Sequence, residues 1–188
     1  TTASFVPAIG RYQYATPGGY FPGALSNIRV TKQIVYSGAF TPSTSPLTTT
    51  SQGATANQVS LLTCQNNAFV DNSTNNYAIT LGTTTVKPVA VSPFTPNSYT
   101  GTQITTWGSA YFDGSTAYIN STGSDIALGT NNFTIEFWVY ANSWTATAST
   151  VVRIAGSSDW VCQFNGSGVM IFYANGSHWV RFITLNLC

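Results

Sequence analysis

The sequence predicts an all-β, antiparallel protein, a sandwich or barrel of short strands. Three observations carry that expectation. Thr, Val, Ile, Phe, Tyr and Trp recur in short runs, Gly, Pro, Asn and Ser interrupt those runs, and no stretch has the apolar period of an amphipathic helix. Hydrophobic residues make up 43% of the 188 residues and aromatics 14%, which is enough apolar material to close a core rather than remain a disordered chain.

In chain order, the clearest strands are LSNIRVT (25–31), VSLLTC (59–64), YAITL (77–81), SAYFDG (109–114), AYIN (117–120), FTIEFWVY (133–140), TVVRIAG (150–156), WVCQFN (160–165), GVMIFYAN (168–175) and HWVRFITL (178–185). Asn-Gly at 165–166 and again at 175–176 marks hairpins, because both residues tolerate the positive φ of tight turns, so 150–185 reads as an antiparallel meander. Residues 41–57 (TPSTSPLTTTSQGATAN) have little apolar content, and 88–108, with Pro88, Pro93 and Pro96, read as extended connection. Strand-rich segments 1–40 and 109–188 therefore flank a central region, 41–108, which carries its own small β module.

Charged residues are only 6%, against about 25% in ordinary domains. The net charge of +1 and the scatter of Arg11, Arg29, Lys32, Lys87, Arg153 and Arg181 give no basic patch, so nucleic acid is not an expected partner. No apolar run reaches the ~20 residues of a membrane helix, so membrane insertion is not expected either. Three cysteines, Cys64, Cys162 and Cys188, are too few and too odd in number for a disulfide framework. Cys64 and Cys162 lie in apolar runs and read as buried thiols. The chain begins Thr-Thr rather than with Met, which reads as a processed chain or a piece of a longer one.

SAYFDGSTAYIN followed by NNFTIEFWVY resembles the opening strands of concanavalin A-like, laminin-G-like jelly-roll domains, and FPGALSNIRVTKQIVYSGAFTPSTSPL resembles their closing strand and exit. LLTCQNNAFVDNSTNNYAITLG with VSPFTP resembles the linker module between successive copies in bacteriophage structural proteins, notably marine and cyanobacterial ones. The resemblance runs from about Gly19 to Tyr140 and implies an antiparallel jelly-roll sandwich with a smaller β linker module. In that frame 1–40 holds closing strands and 109–188 opening strands, an inverted order. Either the chain is a window on a tandem array, or 1–40 completes the sheet begun by 109–188, in the same chain or in a neighbour. An incomplete sheet leaves bare edges that something must cover.

Each candidate for chemistry has a structural alternative. Glu136 sits on a strand whose alternation places Phe133, Ile135, Phe137 and Val139 on one face and Thr134, Glu136, Trp138 and Tyr140 on the other. Glycosidases need two facing carboxylates. The related laminarinase-type glucanases carry Glu-x-Asp-x-x-Glu, but here the corresponding later positions are Trp138 and Ala141. Glu136 therefore reads as part of a wall, and no catalytic residue is expected. Asp113 in FDG is the one metal candidate, for the calcium ion that some laminin-G-like domains bind, and an Asp-Gly turn is the preferred reading. No other cofactor is expected. His178 lacks an acidic neighbour in sequence and reads as a strand residue. Trp144, Trp160, Tyr173, Tyr140 and Trp179 are candidates for stacking on sugar rings, with Asn175 to hydrogen-bond hydroxyls. Arg29, on an apolar strand, is expected to pair with a carboxylate or backbone carbonyls and so anchor that strand.

The resulting expectation is a non-enzymatic structural protein of a virion surface, a phage fibre or capsid decoration subunit. Its partners would be copies of itself or other virion proteins, together with host glycans. The alternatives are an extracellular glycan-binding adhesin or filament subunit and, behind it, a glycoside hydrolase.

Overall fold

The computed structural model describes residues 6–12, 18–66, 68–94, 108–123, 126, 128, 131–144, 148–154, 160–174 and 177–179. Among these the chain is all-β. Its strands are β1 (Ala8–Ile9), β2 (Pro22–Thr31), β3 (Val59–Thr63), β4 (Ile79–Leu81), β5 (Lys87–Val89), β6 (Ser109–Asp113), β7 (Ile119–Ser121), β8 (Thr134–Ala141), β9 (Ser149–Ile154), β10 (Trp160–Phe164), β11 (Met170–Ala174) and β12 (Ser177–Trp179). Two single 3-10 turns, Ser51–Gly53 and Ala56–Gln58, are the longest helical pieces in the described segment before β3. No helix of the described residues is long and apolar enough to cross a membrane.

The strands form two antiparallel sheets. One has the order β12-β11-β10-β9-β1-β7-β4. The other is organised on β2. Gly23–Leu25 pair with β6 on one edge and β8 on the other, and Arg29–Val30 pair with β3 and β8. β3 and β6 therefore follow one another along the edge of β2 opposite β8, and β5 extends the sheet beyond β6. The break between β6 and β3 falls at Asn27, whose φ of 50° marks a bulge in β2. Gly23 is needed here because a Cβ at its φ of +151° would strike the Tyr140 carbonyl on β8.

The two sheets share one apolar core. Phe21, Leu25, Ile28, Val30, Ala110 and Phe112 on one side meet Ile9, Ile119, Val152, Ile154, Cys162 and Phe164 on the other. Residues of the 1–40 and 109–188 segments pair with each other within the chain. β2 completes the sheet of β6 and β8, and β1 lies between β9 and β7. The central region feeds both sheets, β3 and β5 entering one and β4 the other.

Two elements escaped the sequence pattern. β1 is two residues between Pro7 and Gly10, too short to show alternation. β5 contains Pro88 inside the segment read as connection; proline is tolerated there because β5 pairs with β6 on one edge only. The 150–185 meander appears as β9–β12. Its first turn has a different cause from the one expected. The Asn165 side chain accepts the amides of Ser167 and Val169, and the positive φ, 72°, falls on Gly168. The second Asn-Gly and the remainder of the last strand, 180–185, lie outside the described residues.

Candidate functional site

The strongest polar constellation sits on the outer face of the β2–β8 pair. Arg29 and Glu136 are register partners on adjacent strands. Arg29 has no exposed surface, and its Nε and Nη2 both lie 2.6 Å from Glu136 Oε2. Arg29 Nη1 donates to the carbonyls of Thr48 (2.7 Å) and Ser51 (2.9 Å). The Tyr36 hydroxyl donates to Glu136 Oε1 at 2.5 Å, and its ring stacks on Phe40 at 3.7 Å. Burial, then the hydrogen bond to Glu136 and its charge, push the Tyr36 phenol above its usual range. Both Glu136 oxygens are thus committed to fastening. Arg29 takes a carboxylate and backbone carbonyls at once, as its position on β2 suggested.

The fastened segment is 32–58, which includes residues 41–57, the stretch read as low in apolar content. Leu47 is buried with Ala54, Val59 and Leu62, with Val35 and Trp138 against them, forming a second small core outside the sheet. Asn27 Oδ1 accepts the Leu47 amide (2.9 Å), and Gln65 Nε2 bridges Asn27 Oδ1 and the Leu47 carbonyl. Leu47 and the side chains of Asn27, Arg29, Gln65, Thr134 and Glu136 hold this stretch down.

A second polar device closes the free edge of β3. Asp71 Oδ1 accepts the Leu62 amide (3.0 Å), the Asn72 amide donates to the Leu62 carbonyl (2.7 Å), and Asn75 Nδ2 donates to the Ser60 carbonyl (3.1 Å). Asp71 also accepts from Ser73 and the Tyr77 amide. The signal was the Asx-rich run DNSTNN, which mimics a strand partner with side chains.

Asp113, the calcium candidate, is the hub of a turn. Its Oδ1 accepts the amides of Ser115, Thr116 and Ala117 at 2.8–2.9 Å, and its Oδ2 accepts the Thr116 hydroxyl at 2.7 Å. Desolvation works against the charged form, but the amides of Thr116, Ala117 and Ser115 and the Thr116 hydroxyl outweigh it and hold the carboxyl well below the usual range. Among the described residues no group of three or more His, Cys, Asp or Glu converges as a metal site. Cys64 and Cys162 are buried free thiols, each pushed up to about 12 by burial. Cys188 lies outside the described residues.

Among the described side chains, Trp144, Trp160 and Tyr173 are not brought together. Trp160 packs edge-on to Phe133 (4.5 Å) and tilted over Phe172 (5.2 Å), and Trp144 tilts over Phe164 (4.7 Å) and abuts Gly168. Both tryptophans are half-buried against the main core. Tyr173 belongs to the opposite face of β11, in a cross-strand row with Val161 and Arg153 and at the register of His178. Asn175 lies outside the described residues.

The remaining candidate with a described side chain, Tyr140, is the solvent-exposed member of an aromatic row. Tyr140, Ala24, Tyr111 and Lys87 are successive register partners across β8, β2, β6 and β5. Tyr140 is 53% exposed, Ala24 is a buried floor, and Asn142 Nδ2 donates to the Tyr111 hydroxyl at 3.3 Å. With strands about 4.8 Å apart, the two tyrosines stand roughly 10 Å from each other over that alanine. The row was hidden because Ala24, which joins the two tyrosines, lies more than eighty residues from either in sequence.

Comparison with protein-family models, curated proteins and solved structures finds no match to this chain.

Proposed function

We propose that the chain is a non-enzymatic structural subunit of a virion surface, a phage fibre or capsid decoration protein built on a jelly-roll sandwich, which assembles through strand edges and aromatic contacts. The observation that carries the structural half is the Arg29–Glu136–Tyr36 lock: the only acid on the β8 wall is spent on holding the chain to itself. Two antiparallel sheets around one core and the resemblance of SAYFDGSTAYIN and NNFTIEFWVY to jelly-roll openings support the sandwich, and the resemblance of LLTCQNNAFVDNSTNNYAITLG with VSPFTP to phage linker modules supports the virion setting. Immunogold electron microscopy of the source particles tests it. Label on the particle surface is expected. Label confined to free material, or hydrolysis of β-glucan abolished by Glu136→Gln, overturns it.

The second reading, a glycan-binding adhesin, is favoured by one specific feature, the Tyr140–Ala24–Tyr111 row with Asn142 beside it. A glycan array in which binding is lost on Tyr140→Ala and kept on Trp160→Phe would place sugar contact there rather than at the tryptophans.

A further inference from the structure

Every β-sheet has edges, and a bare edge invites another strand. This chain treats its edges unequally. β3 is capped along its outer side by Asp71, Asn72 and Asn75. β5 is three residues long and carries Lys87 and Pro88; β4 is also three residues. Short strands, lysine, proline and side-chain caps are the usual means of blunting an edge.

β8 has none of them. It is eight residues long, contains no proline, lysine or arginine, and is bonded by β2 along one side only. Among the described residues nothing else hydrogen-bonds to its backbone; the Thr134 hydroxyl, which meets Gln33 and Val35, is a side-chain contact at the strand's first residue. The side chains along this edge are unfinished as well. Phe133, Ile135 and Phe137 pack on the core yet remain partly exposed, whereas all ten residues of β2 are buried.

We propose that the free edge of β8 pairs antiparallel with β8 of a second copy of this chain, joining the two β2-centred sheets into one. The proposal deepens the assembly reading above by naming the partner and the strand. Self-pairing fits the composition of the edge. A twofold axis through Phe137 or Trp138 brings like faces together, setting Ile135 against Val139 or Phe137 against Val139 on the core side. Either register keeps the two Glu136 side chains from facing each other directly, and each is already neutralised by its own Arg29. No other charge lies between Asn131 and Asn142, so two copies approach without like-charge repulsion. A partner strand also covers the remaining exposed part of Ile135 and Phe137, adding apolar burial to the backbone hydrogen bonds.

The test is sedimentation velocity on the whole chain over a range of concentrations, alongside Ile135→Lys, which sets an ammonium at the edge, and Val169→Lys, which changes an exposed apolar residue outside β8. The expected result is a dimer for the parent and Val169→Lys and a monomer for Ile135→Lys. Hydrogen exchange on the parent is independent of whether Ile135→Lys folds; half of the β8 amides should gain protection as concentration rises. A parent that stays monomeric at the highest attainable concentration, association unchanged by Ile135→Lys in a folded protein, or β8 protection independent of concentration overturns the pairing. A monomer that still labels the particle surface sinks the β8 pairing alone, and a β8 dimer that never labels particles sinks the virion reading alone.

Discussion

Replacing Glu136 tests whether the β8 carboxylate fastens the fold. In the parent, two Arg29 nitrogens sit 2.6 Å from Oε2 and the Tyr36 hydroxyl sits 2.5 Å from Oε1. Hydrogen bonds with an ionised partner contribute about 1.5–3 kcal/mol and neutral ones about 0.5–1.5. Glu136→Gln keeps the shape and an acceptor for Arg29 while removing the charge, so the loss is about 2–3 kcal/mol. Glu136→Ala leaves a fully buried guanidinium with only the Thr48 and Ser51 groups, and the loss rises to about 3–5 kcal/mol. Arg29→Met with Glu136→Leu removes both charges and leaves carbonyls in an exposed segment that water can satisfy, so it should fall within about 1 kcal/mol of the parent. Urea unfolding followed by tryptophan fluorescence, read as a double-mutant cycle, gives these numbers. Trypsin and subtilisin digestion reports whether 32–58 loosens first. If Glu136→Gln changes stability by less than about 0.5 kcal/mol and the cycle shows coupling below that, the pair is screened like a surface ion pair and the fastening argument is wrong.

Three further outcomes follow from the same geometry. Leu47→Ala should cost about 2–4 kcal/mol and make 32–58 the first site of protease cleavage, because Leu47 is the one fully buried large side chain from that segment in the small outer core, Val35 being only partly buried. Asp113 is held below its unfolded pKa, so its contribution is complete above about pH 4 and is lost as pH falls through the folded value; Asp113→Ala should flatten the acid limb of a stability-against-pH curve and leave the neutral plateau lower by about 1 kcal/mol, the typical worth of a local side-chain bond. With both thiols pushed up to about 12, Cys64 and Cys162 should resist iodoacetamide at pH 8 in the native protein and alkylate only on unfolding, as read by peptide mass spectrometry.

Much of the strand content was legible because alternation and turn residues are local. FTIEFWVY divided into its two faces correctly, Ile135, Phe137 and Val139 on the core and Glu136 and Trp138 away from it, since strand geometry alone fixes that division. Arg29 was legible for a similar reason: a lone cation in an apolar strand must find an acceptor. Its acceptors on Glu136 and Thr48 were not, because they depend on how segments 107 and 19 residues away return to β2. The same limit hid the Tyr140–Ala24–Tyr111 row and the packing partners of Trp144 and Trp160. Trp144 and Trp160 follow turn-like residues, but turn position does not say which face a neighbouring strand covers, and Phe164, Phe133 and Phe172 cover theirs. Residues 41–57 misled through averaging: one leucine in a polar run is invisible to composition, yet Leu47 and the carbonyls beside it decide where the run lies.

The placement of charge has a consequence for assembly. Of the six basic residues, Arg11, Arg29 and Arg153 are buried, Arg29 on Glu136, Arg11 with its guanidinium 3.2 Å over the Tyr118 ring, and Arg153 over Tyr12. Among the described basic residues, the three arginines are drawn inward to fix strands, and Lys32 and Lys87 are left toward solvent. Contacts through the proposed β8 edge would then rest on backbone hydrogen bonds and apolar cover, and neither is screened by ions over the ~8–10 Å Debye length that weakens surface ion pairs at ordinary salt. Association through β8 should therefore hold its dissociation constant within about threefold between low and near-molar sodium chloride, against the steep loss expected of a charge-driven interface. Dimers that fall apart on adding salt would mean that the surface lysines, and not the bare edge, bring the copies together.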